Sequence, residues 1–110
     1  MYFIYILRCV DSSLYCGYTT DVENRIKAHM GERPGGAKYT KSHPPLCLAA
    51  LWHTDSKESA LRLEAVIKKL KKSEKERLIS DSDAFGELFG SRLDTGAYER
   101  NEINDTGILK

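Results

Sequence analysis

The stretch YFIYILRCVDSSLYCGY, residues 2–18, constrains this chain more than any other. Residues 2–9 are apolar and aromatic with little break, Asp11-Ser12-Ser13 is turn chemistry, and residues 14–18 are again short, aromatic and apolar. Two such runs joined by a few turn residues make an antiparallel hairpin. Four of the chain's six tyrosines, Tyr2, Tyr5, Tyr15 and Tyr18, fall within these seventeen positions. Strand alternation divides them. Phe3, Tyr5, Leu7 and Cys9 share one face of the first strand, and Ser13, Tyr15 and Gly17 share a face of the second. A short turn makes Tyr5 and Tyr15 neighbours on one side, whereas Tyr2 and Tyr18 point away and read as packing. Gly17 removes a side chain beside the pair, leaving room for backbone or a ligand to approach. Cross-strand aromatic packing alone would also account for the pair.

Thr19-Thr20-Asp21 supplies N-cap chemistry, and Val22, Ile26 and Met30 recur at i, i+4, i+8. This predicts a helix over about 21–31, ended by Gly31 and the GERPGG segment. Residues 35–45 are rich in Gly, Lys and Pro and read as an ordered loop; LCLAALWH, 46–53, reads as a buried third strand. Thr54-Asp55-Ser56 caps a second helix over about 57–71, with an apolar stripe of Ala60, Leu63, Val66, Ile67 and Leu70. Ser73 opens a short third helix through Leu78-Ile79, and 83–90 allow one more turn. From about residue 91 the chain has no clear periodicity, so 91–110 is expected to be a flexible tail. The order β-β-α-β-α-α predicts a small α+β layer fold in one domain, residues 1–90.

Composition excludes several classes. No apolar run approaches the roughly 18 residues of a membrane span, so no membrane partner is expected. MYFIYILRC lacks a basic lead and a small-residue cleavage site and reads as structure, not as a signal peptide. Three widely spaced cysteines, Cys9, Cys16 and Cys47, argue against a disulfide framework and for reduced thiols in a cytoplasm. The net charge of +1 hides an asymmetry: residues 1–80 hold 14 Lys/Arg against 9 Asp/Glu, and residues 81–110 hold 3 against 7. A basic body suits a polyanionic partner.

Three side chains depart from a plain amphipathic pattern. At about 100° per residue, His29 falls about 20° from Val22, and Arg25 lies about 40° beyond it. Arg25 and His29 therefore share one side at the margin of the buried stripe and can point into one cleft. Glu64 sits about 40° from Ala60 and 60° from Ile67, at the edge of the core-facing stripe. A carboxylate leaving water needs a partner or a cation. Lys68 at i+4 would serve; so would a metal, since Mg²⁺ takes one carboxylate with waters and phosphate oxygens. Two phenols, a guanidinium, an imidazole and a carboxylate together suit phosphodiester hydrolysis, which needs a base for water and cations for the developing charge.

Phe3-Ile4-Tyr5, then Tyr15-Cys16-Gly17, then Arg25-x3-His29, then a helical Glu64 resembles the GIY-YIG nuclease superfamily, and within it the small stand-alone bacterial proteins. The stretch YILRCVDSSLYCGYTTDVENRIKAH carries the match nearly continuously, and GGAKYTKSHPPL and SALRLEAVIKKLKKSEKERLI extend it over roughly residues 1–90. Phe3 stands where the first triplet usually has Gly, and Cys16 where the second usually has Ile; neither change removes a proposed chemical group. The resemblance implies a three-stranded antiparallel sheet flanked by helices and one divalent metal, Mg²⁺ or Mn²⁺, held by Glu64. It implies Tyr5 as general base, Tyr15 positioning nucleophile and phosphate, Arg25 on the scissile phosphate, His29 assisting the base, and Gly17 keeping the site open. The activity implied is an endonuclease on DNA, with RNA as a further substrate class, and a place in DNA repair; branched, damaged and single-stranded substrates are the candidates. A non-catalytic nucleic-acid-binding or adaptor protein of the same fold is the alternative. Lys38 and Lys41 in the Gly/Pro loop, and Lys68, Lys71 and Lys72 after Glu64, form a possible phosphate-contact surface.

Overall fold

In the computed structural model, which describes residues 1–31, 35 and 38–103, the N-terminal hairpin forms as β1 (Tyr2–Cys9) and β2 (Leu14–Thr19). Its turn is held by Asp11, whose carboxylate accepts the Ser13 N–H at 3.0 Å, while Ser12 takes a left-handed φ of 70°. That Asx bond offsets the steric cost of a non-glycine residue there. Helix α1 (Val22–His29) follows; the Asp21 side chain caps it by accepting from Asn24 N–H. The segment read as a loop contains a short helix, α2 (Lys38–Ser42), before β3 (Pro45–Thr54). Then come α3 (Lys57–Lys68), capped by Ser56, α4 (Lys72–Ser80) and α5 (Ala84–Phe89).

The sheet order is β2-β1-β3-β4, all antiparallel, so β1 is central and β2 is an edge. Alternation sends Ile4, Ile6, Cys16, Ala50 and Trp52 to one face, where Ala60, Leu63 and Ile67 of α3, Leu78 of α4 and Phe89 of α5 cover them. Tyr5, Leu7 and Leu51 point to the other face, against Val22 and Ile26 of α1. The sheet is thus sandwiched, with α1 and α3 on opposite sides.

The expected three strands become four, because the presumed tail folds back. Glu99–Arg100 forms β4 and pairs with His53 and Trp52 of β3. Individual anchors hold it. Tyr98 is buried and its hydroxyl donates to Ser59 O at 2.7 Å. Arg100 stacks over the Trp52 ring at 5.3 Å and donates to Leu78 O and Ile79 O in the last turn of α4. Those carbonyls have no partner within their own helix, so the guanidinium satisfies them. The expectation of a flexible stretch is thereby corrected over 91–103; residues 104–110, Asn104 among them, lie outside the described residues. Among the described residues no helix is long and apolar enough to cross a membrane.

Candidate active site

Tyr5 lies in the middle of the central strand with no exposed surface, and its register partner on β2 is Gly17. A Cβ built on Gly17 would stand 2.5 Å from Tyr5 Oη and 2.7 Å from Cζ. The missing side chain is therefore filled by the Tyr5 phenol itself, which corrects the expectation that Gly17 leaves open space for a ligand. Helix α1 places His29 and Arg25 one turn apart above this ring. His29 Nε2 is 2.6 Å from Tyr5 Oη, and Arg25 Nε donates to the same oxygen at 3.3 Å. A second Arg25 nitrogen donates to the Gly35 carbonyl. On the far side of the imidazole, Nδ1 is 3.0 Å from Thr40 Oγ1 of α2.

Burial, and then the positive charge of Arg25, hold His29 down at about 4, against an ordinary value of 6.5, so the imidazole is neutral near pH 7. Burial raises the Tyr5 phenol well above its usual 10.0, with the Arg25 hydrogen bond opposing that rise. Because Arg25 already donates into Oη, the phenol's own proton is directed to Nε2. That assigns the imidazole proton to Nδ1, facing Thr40.

Tyr15 is half-buried and meets the His29 ring edge-on at 5.1 Å, 6.4 Å from the Tyr5 ring. Tyr39 stacks on Tyr15, and His43 stacks on Tyr39 at 4.0 Å and 8°. Tyr5, Tyr15, Arg25 and His29 thus stand together on one face. Thr40, Tyr39 and His43 belong beside them. Sequence reasoning left Thr40 and His43 out because α2 lies in a segment without periodicity; the only signal was Tyr39 among the loop lysines.

Glu64 is carried by α3, on the other sheet face. It is half-buried and pairs with Lys68 Nζ at 3.5 Å, the ion pair its spacing anticipates. Its field reaches Cys16, whose thiol is pushed up to about 12, first by burial and second by Glu64. Cys16 lies between Tyr15 and Gly17 on the edge strand, so Glu64 and the tyrosine cluster flank the same short stretch of β2 from opposite faces. Among the described residues no group of three or more His, Cys, Asp or Glu gathers to hold a metal. A lone carboxylate does not make an all-protein cage, but it fits a Mg²⁺-type ion that keeps waters and takes its remaining ligands from substrate phosphate. Lys38, Lys41, Lys68, Lys71 and Lys72 are all exposed. The first two lie on α2 beside Tyr39; the others end α3 and begin α4.

The GIY-YIG catalytic domain family matches residues 1–77. A UPF0213 protein of Halalkalibacterium halodurans is 48% identical over 79 residues, covering 72% of this chain and 82% of that one. One of Natronomonas pharaonis is 44% identical, covering 73% and 92%, and the UPF0213 protein YhbQ of Escherichia coli is 40% identical, covering 82% and 88%. A solution NMR structure of a UPF0213 protein from Bacillus halodurans, 41% identical, covers 81% of this chain and 98% of that one with a TM-score of 0.48. Over most of its length, and through Phe3-Ile4-Tyr5 and Tyr15-Cys16-Gly17, this chain belongs to the GIY-YIG family, among its UPF0213 members.

Proposed function

We propose that this protein is a metal-dependent endonuclease that hydrolyses phosphodiester bonds in DNA. The observation that supports it best is the bonded set Arg25–Tyr5–His29, a phenol held between a fixed cation and a neutral acceptor. An attacking water gives its proton to Tyr5 Oη as the phenol's proton passes to His29 Nε2, leaving an imidazolium. The water oxygen bonds to phosphorus, and the opposite P–O bond breaks with its electron pair on the leaving oxygen. Arg25 offsets charge on the non-bridging oxygens. Tyr5 has no exposed surface, so the reaction requires that water be admitted to Oη. Tyr15, half-buried at the mouth, orients the phosphate and the nucleophile. Glu64 is the residue that would hold Mg²⁺ or Mn²⁺, which when bound would supply charge neutralisation for the departing group.

The substrates proposed are branched, damaged or single-stranded DNA, with RNA tested beside them, and the role is in repair. Cys9, Cys16 and Cys47 are free thiols, which suits a reducing cytoplasm. A panel of flap, four-way, duplex and single-stranded DNAs and RNA, incubated with Mn²⁺, tests the reading. Wild type should nick at least one DNA. Glu64→Ala should lose activity by at least about 100-fold, and Tyr5→Phe by about 10²–10⁴-fold with the fold intact. Equal trace cleavage by wild type and Glu64→Ala would sink it.

A further inference from the structure

An open groove of 560 Å³ passes the end of the hairpin, lined by Tyr2, Tyr18, Thr19, Thr20, Arg25 and Lys57. Its lining is chemically one-sided. Two cations and four hydroxyl-bearing side chains surround it, and no carboxylate is among these lining residues. Cations and hydroxyls are the partners of phosphate oxygens, whereas carboxylates would be expected of a cation site. Arg25 belongs both to this groove and to the Tyr5–His29 set, where its Nε donates to Tyr5 Oη.

The groove also joins the two sheet faces. Arg25 comes from α1 on one face; Lys57 opens α3 on the other; the ends of β1 and β2 lie between. Lys57 and Glu64 are seven positions apart on α3, so they share a helix face, about 20° apart in azimuth and about 10 Å apart along the axis. A strand leaving Arg25 along the groove therefore arrives at the side of α3 that carries Glu64.

We propose that this groove is a backbone subsite, in which Lys57 with the Thr20 hydroxyl holds a phosphodiester flanking the cleaved bond, while the Thr19 hydroxyl stays bonded to the Asp21 backbone. Its ligand is a nucleic-acid strand recognised through its phosphates and without base preference. This rests on the nuclease reading for the ligand's identity, and it assigns Tyr2 and Tyr18, which alternation reads as packing alone, a second face toward the groove.

The test measures binding of a labelled single-stranded oligonucleotide by fluorescence anisotropy in EDTA across a salt series. Mn²⁺-dependent nicking kinetics are measured in parallel. Lys57 is exposed at the first position of α3, so Lys57→Ala and Lys57→Arg should keep the wild-type circular dichroism spectrum. Lys57→Ala should weaken binding about threefold to tenfold and flatten the log–log salt slope by about 0.7, one phosphate's share on a single strand. KM should rise in step, with kcat within about twofold, and Lys57→Arg should restore both. If wild type nicks but Lys57→Ala keeps wild-type affinity and slope, the groove proposal falls and the nuclease reading stands. If Lys57 governs binding but no metal elicits nicking, the groove stands and hydrolysis falls.

Discussion

At Gly17 there is no room for even a methyl group, because the Tyr5 phenol already occupies the space. Gly17→Ala should therefore cost about 1–3 kcal/mol, the range for overpacking a filled site, measured by urea denaturation. A glycine that only held a cleft open would accept alanine without loss of stability. Alternation along the hairpin separates Tyr5 and Tyr15 from Tyr2 and Tyr18, and i, i+4 spacing pairs Arg25 with His29. The opposition of Tyr5 and Gly17 depends on strand register, which the turn sets, and so it is not legible in either strand alone. His29 makes a second residue-scale prediction. Its folded value of about 4 lies below its ordinary 6.5, so between these values the unfolded chain binds the extra proton. Stability is then full above about pH 7 and falls as pH drops, by about 2 kcal/mol between pH 7 and 5. Urea midpoints over that window should shift accordingly in wild type and flatten in His29→Gln; an equally steep wild type and variant would refute the assignment.

Among the elements, those that announce themselves are those with caps and periodic stripes. Asp21 and Ser56 stand at the starts of α1 and α3 as their positions suggest, and both accept from the third residue on. The segment after α5 has no stripe, because it is held by a few isolated anchors and not by a buried face. Tyr98 contacts the core and bonds Ser59 O; Thr54 Oγ1 donates to Ala97 O; Asn101 Oδ1 accepts from His53 Nδ1. Periodicity cannot report such contacts. Tyr98→Ala should cost about 3 kcal/mol in chemical denaturation, as for other buried aromatic truncations, and Tyr98→Phe about 1 kcal/mol. A change below about 0.5 kcal/mol for Tyr98→Ala would return the segment to the status of a tail.

Across the whole molecule, the candidate site is assembled from both faces of one sheet. The tyrosine cluster lies under α1, Glu64 lies on α3, and only the thin edge strand β2 separates them. The sequence identifies each member by residue type and spacing, but a helical wheel carries no information on which face of a sheet a helix will cover. The same layout explains why Arg25 can serve the buried phenol and the open groove together: it stands where α1 reaches the end of the hairpin. The two borders of the sheet consequently have different fates. The β2 border carries the triplet Tyr15-Cys16-Gly17 and stays unpaired among the described strands, while the β3 border is blunted near Trp52 by β4 and a charged Arg100. A chain trimmed to the family-matching span, residues 1–77, would lose that guard and bare the Leu51-Trp52-His53 end of the β3 edge, which β4 and the Asn101 N–H cover. An open strand edge is a template for strand addition by another copy, and β4 shortens the part of the β3 edge that stands open among the described residues.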